Sequence, residues 1–390
     1  MSYSDSAQCF DVIVIGDGLS GLLLSDLLAD HCAVLRIGSP VVTATIERSL
    51  GLVACGGADS PARLCNGLGE ERARAYWQWS QRSVSGLLEL AGKLNIAHGR
   101  AGSFRAALDD QEAEEWTAAR ALIQSWSQGG LQRARLATED ELTELGAGLV
   151  AATYISGDGW LDPGALSAAL RGRLKGRCGW LPGDAQLIDR KSPGGALQVR
   201  LAGGEIKLAE VVVIAAGWGG AAVHSALADK LYPVRQQALR TAPLALLDKQ
   251  RRVPVLARHR FESWMQEASG ALVFSGCRWA EQPEMGAGIT NPLTLSEGVF
   301  QRQLEFINHY LPWAQAARVQ ERWSGITTWS CDGLPLVGSL PGRPRVQVLA
   351  GFGGWGLSLA GAAASALAAG ILGRTEKDST PAFLHPRRLL

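Results

Sequence analysis

The chain has little of what marks several large protein classes. Its seven cysteines are Cys9, Cys32, Cys55, Cys65, Cys178, Cys277 and Cys331, and none form a Cys-x-x-Cys pair. No histidine–cysteine cluster has zinc-ligand spacing, so no metal site is expected. An odd, scattered set in a chain of 390 residues reads as free thiols in a reducing compartment, and a cytoplasmic location is expected. The opening MSYSDSAQCF lacks a basic stretch followed by an apolar one, so no signal peptide is read there. Charge of one sign is also lacking. The 38 Lys and Arg balance 37 Asp and Glu, for a formal net charge of +1. A nucleic-acid partner needs a basic face, and none is implied. The six histidines, His31, His98, His224, His259, His309 and His385, are scattered. They give no Ser-His-Asp or Cys-His spacing of a nucleophilic enzyme.

Apolar residues and glycine are plentiful. Hydrophobic residues make up 47% and charged residues 19%, which supports a sizeable core in one large domain or two ordinary ones. Glycine stands at 47 residues, well above the norm of about 7%. No Gly-X-Y period accompanies it, so the surplus serves turns and close backbone approach to a ligand. The stretch 346–373 carries no charged residue and is long enough to span a bilayer. It opens, however, as VQVLAGFGGWG, where Gly351, Gly353, Gly354 and Gly356 would interrupt a helix. The expectation is a buried strand, a loop and a buried helix, with no transmembrane segment.

The first chemical signal lies at residues 10–30, FDVIVIGDGLSGLLLSDLLAD. An apolar strand, Phe10 to Ile15, leads into Gly16-Asp17-Gly18-Leu19-Ser20-Gly21, an intact G-x-G-x-x-G. A leucine-rich helical pattern and a second strand, Cys32 to Ile37, follow. This context reads as a dinucleotide site. Gly16 makes the tight turn, Gly18 admits a pyrophosphate, and Gly21 lets helix and strand pack closely. Amides at the helix start hold the phosphates. Two residues depart from the pattern. Arg36 stands where an acid is expected to accept hydrogen bonds from the adenosine ribose. Asp17 puts a carboxylate inside the phosphate loop. The two are expected to be linked, either as an ion pair or with Asp17 serving the ribose. A rival reading has Arg36 hold the 2′-phosphate of NADP.

Two further segments extend the pattern. Val211 to Ile214 reads as a buried strand ending in Ala215-Ala216-Gly217-Trp218, small residues that admit a ligand at a sheet edge. Near the C-terminus, Asp332-Gly333-Leu334-Pro335 reads as a turn. Val346 to Ala350 reads as a strand, and a helix opens at about Leu357 after the glycine cluster. Such a helix start can stabilise an anion.

With GDGLSG, VVVIAAGWGG, DGLPLVG and VLAGFGGWGLSLA in view, the chain resembles the D-amino-acid oxidase superfamily of FAD-dependent oxidoreductases. That superfamily includes glycine, sarcosine and γ-glutamylputrescine oxidases. Segments 67–96 and 157–170 add softer matches, and the glycine oxidase and γ-glutamylputrescine-oxidase-like branch is the nearest resemblance. It implies an α/β fold, with a Rossmann-like FAD-binding domain of the glutathione-reductase type and a second, antiparallel-sheet substrate domain. The FAD domain would comprise 1–85, 150–230 and 320–390, and the substrate domain 86–149 and 231–319. Strand-like 270–276 and a helix over 111–128 suit the latter. By the same resemblance, Arg48 and Ser49 sit in a loop over the cofactor. Ala216, Gly217, Trp218, Gly351, Gly353, Gly354, Trp355, Gly356 and Leu357 contact it.

The family's amino-acid oxidases commonly anchor the substrate carboxylate with an arginine in G-L-R-P-x-T-x-D-G. The matching stretch, Gly325 to Gly333, has Thr327 at that position. A simple α-amino acid is therefore disfavoured as substrate. Sarcosine oxidases link FAD through a cysteine where Gly325 stands, so non-covalent FAD is expected. A lysine that promotes oxygen reaction in that branch corresponds to Phe274, which opens the choice between oxidase and dehydrogenase. Arg278, His259, Trp329 and Trp355 are the candidate substrate-site residues, and Trp264 is a candidate pocket wall. The implied reaction oxidises the C–N bond of an amine or modified amino acid by hydride transfer to flavin N5, with hydrolysis of the imine. The electron acceptor is oxygen or another carrier. The alternative is a flavin-fold subunit or maturation factor that works in a complex with a partner protein.

Overall fold

The computed structural model describes residues 9–38, 45–127, 133–188, 195–244, 252–259, 261–282, 284–374 and 380–390. The stretch 1–8, most of that read above for a leader, lies outside them. Two eight-stranded sheets carry the architecture. The first has five parallel neighbours: Gly179–Pro182, Val34–Gly38, Cys9–Ile15, Ile206–Ile214 and Arg343–Ala350. The strands Cys9–Ile15, Val34–Gly38 and Ile206–Ile214 are rich in Val, Ile and Leu where they lie deepest, as strands covered on both faces require. Three antiparallel strands, Ala185–Ile188, Leu197–Leu201 and Leu336–Leu340, complete this sheet.

Helices cover one face of the parallel sheet. Leu19–Leu28 and Glu70–Lys93 pack against Gly356–Ile371. The alanine- and glycine-rich character of the last helix is explained by this packing. A Cβ on Gly361 would lie 3.1 Å from Ser83 Oγ, and the Ala362 amide donates to that same hydroxyl at 3.1 Å. The uncharged 346–373 stretch is thus a buried strand, a turn and a core helix. No helix of the described residues is long and apolar enough to cross a membrane.

The second sheet runs in the order Val319–Ser330, Leu231–Thr241, Leu272–Ser275, Glu262–Gln266, Val255–Ala257, Ser103–Ala107, Ala151–Ile155, Ala134–Leu136. Its pairings are antiparallel except for Val255–Ala257 against Ser103–Ala107. The α/β fold with a separate, mainly antiparallel sheet is therefore present as the sequence implied. The strands Ala151–Ile155 and Val319–Ser330 pair within this second sheet.

A buried ion pair ties the parts together. Arg105 of the second sheet and Asp158 are both fully buried, with Arg105 Nη2 2.9 Å from Asp158 Oδ2. Asp158 also accepts from Ser103 Oγ at 2.6 Å and from the Cys55 amide at 2.9 Å. Each buried charge thus has a partner, without which burial would be prohibitive. All seven cysteines are free thiols.

Candidate active site

A cavity of about 850 Å3 runs between the two sheets, toward the upper end of ordinary ligand pockets. One end is the turn after the strand Cys9–Ile15. Gly16 has φ +129°, and a Cβ there would stand 2.2 Å from the Ala215 carbonyl oxygen. A Cβ on Gly21 would stand 2.2 Å from the Gly16 carbonyl oxygen, so Gly21 holds helix against strand. Gly18 has no heavy atom within 4 Å of its would-be Cβ and lines the cavity. The three glycines divide into a turn, an open approach and a packing contact, the division a bound pyrophosphate requires.

The second glycine cluster, which follows the strand Arg343–Ala350 of the same sheet, and the strand Val319–Ser330 extend the lining. Gly351, Gly353 and Gly354 have φ of +80°, +57° and +85°. The Gly353 amide donates to the Thr328 carbonyl at 2.8 Å, and the Trp329 ring lies 3.4 Å from a would-be Gly353 Cβ. A Cβ on Gly217, which has φ +59°, would stand 2.8 Å from Thr328 Oγ1. Trp355 and Gly356 line the space where the helix Gly356–Ile371 begins.

Of the residues singled out in the sequence, the cavity gathers Gly16, Asp17, Gly18, Leu19, Ser20, Arg48, Ser49, Ala216, Gly217, Trp218, His259, Arg278 and Trp329. It also gathers Gly351, Gly353, Gly354, Trp355, Gly356 and Leu357. Gly21 and Arg36 do not line it. The strand continues two residues past Arg36, to Gly38, so Arg36 lies inside the sheet opposite Val14 and Trp180. It is 5% exposed and pairs with Asp17 Oδ1. Arg36 therefore does not stand at the strand end, nor is it open to a 2′-phosphate, and the NADP reading loses its cation. The second partner of Asp17 was missed in the sequence. Arg171 Nε approaches Asp17 Oδ2 at 3.1 Å, and its Nη1 lies 2.5 Å from Glu47 Oε1. Nothing in local spacing marks Arg171, which lies on the distant helix Pro163–Leu174.

The other end of the cavity is made of side chains. Arg278 stacks over Phe261 at 4.6 Å and Trp329 at 5.5 Å from the ring centroids. Its Nη1 donates to the Met285 carbonyl at 3.2 Å, and among the described residues no carboxylate pairs with it. Burial pushes its guanidinium below the usual arginine range, against a weaker opposing pull from Tyr232. His259 adopts φ +52°, and its Nδ1 lies 3.7 Å from Glu115 Oε2. The His259 amide donates to Glu112 Oε1 at 2.8 Å. Burial raises the Glu112 carboxyl above its ordinary value, while the His259 and Leu108 amides pull it back.

Thr327 lines the cavity too. Its hydroxyl donates to the Val234 carbonyl at 3.0 Å and accepts from Trp329 Nε1 at 3.1 Å. It orients the indole rather than meeting an anion. Phe274 and Trp264 point into the core of the second sheet with Phe306, and neither lines the cavity. Strand alternation turns Ser263 and Ser275, their sequence neighbours, toward it instead. Cys331 is exposed and lies outside the lining. Among the described residues no cluster could hold a metal ion.

The profile of one family, described as FAD dependent oxidoreductase (DAO), matches residues 11–369. The chain belongs to that family. A glycine oxidase of Bacillus licheniformis is 25% identical over 384 residues, which cover 94% of each chain. Among solved structures, glycine oxidase from Geobacillus kaustophilus superposes with a TM-score of 0.77 at 21% identity, covering 96% of this chain and 98% of that one. L-proline dehydrogenase from P. horikoshii gives 0.78 at 17% identity, covering 98% of each. At such identities the structural likeness speaks of fold alone. The fold is that of an FAD-dependent oxidoreductase, and the open cradle at Gly18 fits the phosphates of such a cofactor.

Proposed function

We propose that this protein is an FAD-dependent oxidoreductase that oxidises the C–N bond of an amine or modified amino acid carrying an anionic group. The observation that carries the reading is Arg278, a part-buried guanidinium facing the cavity with no carboxylate partner among the described residues. A cation held there between two aromatic rings suits a substrate anion in a planar, bidentate contact. Within the family we assign the chain to the glycine oxidase and γ-glutamylputrescine-oxidase-like branch, on the motifs quoted above. FAD is held without a covalent link, a reading supported by the lack of cysteine in the described lining. The same reading assigns 1–85, 150–230 and 320–390 to the cofactor domain and the rest to the substrate domain. The strands Ala151–Ile155 and Val319–Ser330 fall almost wholly on the cofactor side of these bounds, although they pair within the second sheet.

When bound, FAD supplies a two-electron acceptor. Arg278 fixes the substrate anion, and Trp329 and Phe261 wall the path and exclude water. Thr327 Oγ1 holds the Trp329 indole in place. The substrate carbon next to a neutral nitrogen gives up a hydride, two electrons with one proton, to leave an iminium, whose N–H proton passes to water as the imine forms. Water then releases the amine and a carbonyl product. The amino group is neutral when it reacts, so no strong protein base is needed. His259, beside Glu115, stands where it can take the proton of an incoming ammonium. The acceptor that reoxidises the cofactor is oxygen or another carrier.

The test begins with the absorption spectrum of purified protein before and after acid precipitation. Flavin released to the supernatant is the expected result. Anaerobic mixing with paired amines, one of each pair bearing a carboxylate, should then bleach the flavin faster with the charged member. Protein that binds no added FAD, or flavin reduced equally by neutral and anionic amines, would overturn the proposal.

A further inference from the structure

We propose that Asp17 is the ribose-binding carboxylate of this chain, moved from the end of the second strand into the phosphate loop, with Gly38 as its necessary counterpart. The inference rests on the reading of the cavity as an FAD site. In dinucleotide folds an acid about twenty residues beyond the glycine turn accepts hydrogen bonds from the adenosine ribose. Here the strand Val34–Gly38 holds no acid, and its last residue, lining the cavity, is Gly38.

The geometry couples the two positions. A Cβ on Gly38 would lie 2.4 Å from Asp17 Cβ and 3.3 Å from the Asp17 amide nitrogen. That contact is with the root of the side chain, not with a flexible tip. Asp17 therefore fills the volume from which a strand-end acid would start. Asp17 lines the cavity, and its side chain is 16% exposed. Arg36 engages Oδ1 and Arg171 engages Oδ2. An ionised carboxylate offers about four acceptor sites. Two are taken by the arginines, which leaves capacity for the two hydroxyls of a ribose.

The ion pairs also answer the objection to a carboxylate in a phosphate loop. Arg36 and Arg171 balance Asp17 and Glu47, so the cluster is neutral as a whole. A pyrophosphate beside Gly18 meets no net negative charge, and the Asp17 rotamer is locked from two sides. Both guanidiniums are engaged by carboxylates, so the cluster offers no open cation to a ribose 2′-phosphate.

The experiment measures dissociation constants on apoprotein, by flavin fluorescence, with circular dichroism to verify folding. The ligands are FAD and an FAD analogue whose adenosine ribose lacks both hydroxyls. Wild-type protein should bind FAD at least about tenfold more tightly than the analogue. Asp17→Asn changes the charge beside the pyrophosphate for both ligands alike, so the readout is their ratio: the preference for FAD over the analogue should largely vanish. Gly38→Glu alone should weaken FAD through crowding and repulsion. The double variant Asp17→Gly with Gly38→Glu should recover much of that loss. Equal affinity of wild-type protein for FAD and analogue would overturn the exchange while the FAD reading stands. That comparison needs no mutation, so it holds even if a variant fails to fold. Wild-type protein that binds neither ligand would overturn both.

Discussion

The two ends of the cavity are built from different material. At the parallel sheet the wall is backbone, with Gly16, Gly18, Gly217, Gly351, Gly353 and Gly354 bringing main chain to the surface. At the antiparallel sheet the wall is side chain, with Arg278 between Phe261 and Trp329 and His259 beside Glu115. A backbone wall binds what many proteins share, because any sequence with glycine at the right turns presents the same amides. A side-chain wall selects, because each position can change while the sheet beneath stays the same.

The sharpest break of the contrast is at Gly16. Gly16→Ala drives a methyl group to 2.2 Å from a carbonyl oxygen at φ +129°. It should cost more than ~3 kcal/mol in urea unfolding and abolish FAD binding. Gly18→Ala, with no atom within 4 Å, should keep the unfolding midpoint and lose cofactor affinity alone. A Gly16→Ala protein as stable as wild type would show that this turn relaxes freely.

Next in size is the joint between the ends. Arg105→Met leaves Asp158 buried and without its guanidinium partner, at about 3–5 kcal/mol. Neither residue lines the cavity, so FAD affinity at low temperature should hold while the melting temperature falls. A fall in both alike would mean that the joint shapes the cavity.

The side-chain end is probed by Arg278→Ala. It should lower kcat/KM for an anionic amine by about a hundredfold, mostly through KM. Arg278→Lys should fall between, because a point charge replaces a planar fork. FAD affinity should not move in either. A hundredfold loss of FAD affinity would place Arg278 on the cofactor instead of the substrate.

The smallest expected effect concerns Glu262, fully buried in the antiparallel sheet. Burial raises its carboxyl above 4.5, more than Arg258 and the Trp279 indole lower it. A raised carboxyl favours the folded state while protonated, below the ordinary value, and that contribution is lost as pH rises through the raised one. Glu262→Gln cannot ionise. It should gain stability over wild type as pH rises through and above the raised carboxyl range, and little at acid pH. Identical pH profiles for the two proteins would remove Glu262 from the account.

Much of the first end was legible in the sequence. Gly16 to Gly21 and Gly351 to Gly356 are contiguous motifs, and the backbone conformations they need leave few alternatives to glycine. The linkage of Asp17 to Arg36 was legible too, because both depart from the same local pattern. Its geometry was not. The strand runs to Gly38 rather than ending at Arg36, a difference of two residues that decides whether the arginine meets ligand or protein. Phe274 shows the same limit. A shift of one residue along a strand exchanges core for cavity, so Ser275 faces the site and Phe274 does not.

The sequence by itself determined the dinucleotide turn, the parallel strands around it and the burial of the uncharged C-terminal stretch. These follow from backbone sterics and hydrophobic pattern, which act over a few residues. Only the tertiary structure decided that Arg171 joins Asp17 across 154 positions of sequence and that Arg278 meets the cavity without a carboxylate beside it. The strength of a charge contact depends on distance and burial in space, and neither can be read from separation along the chain.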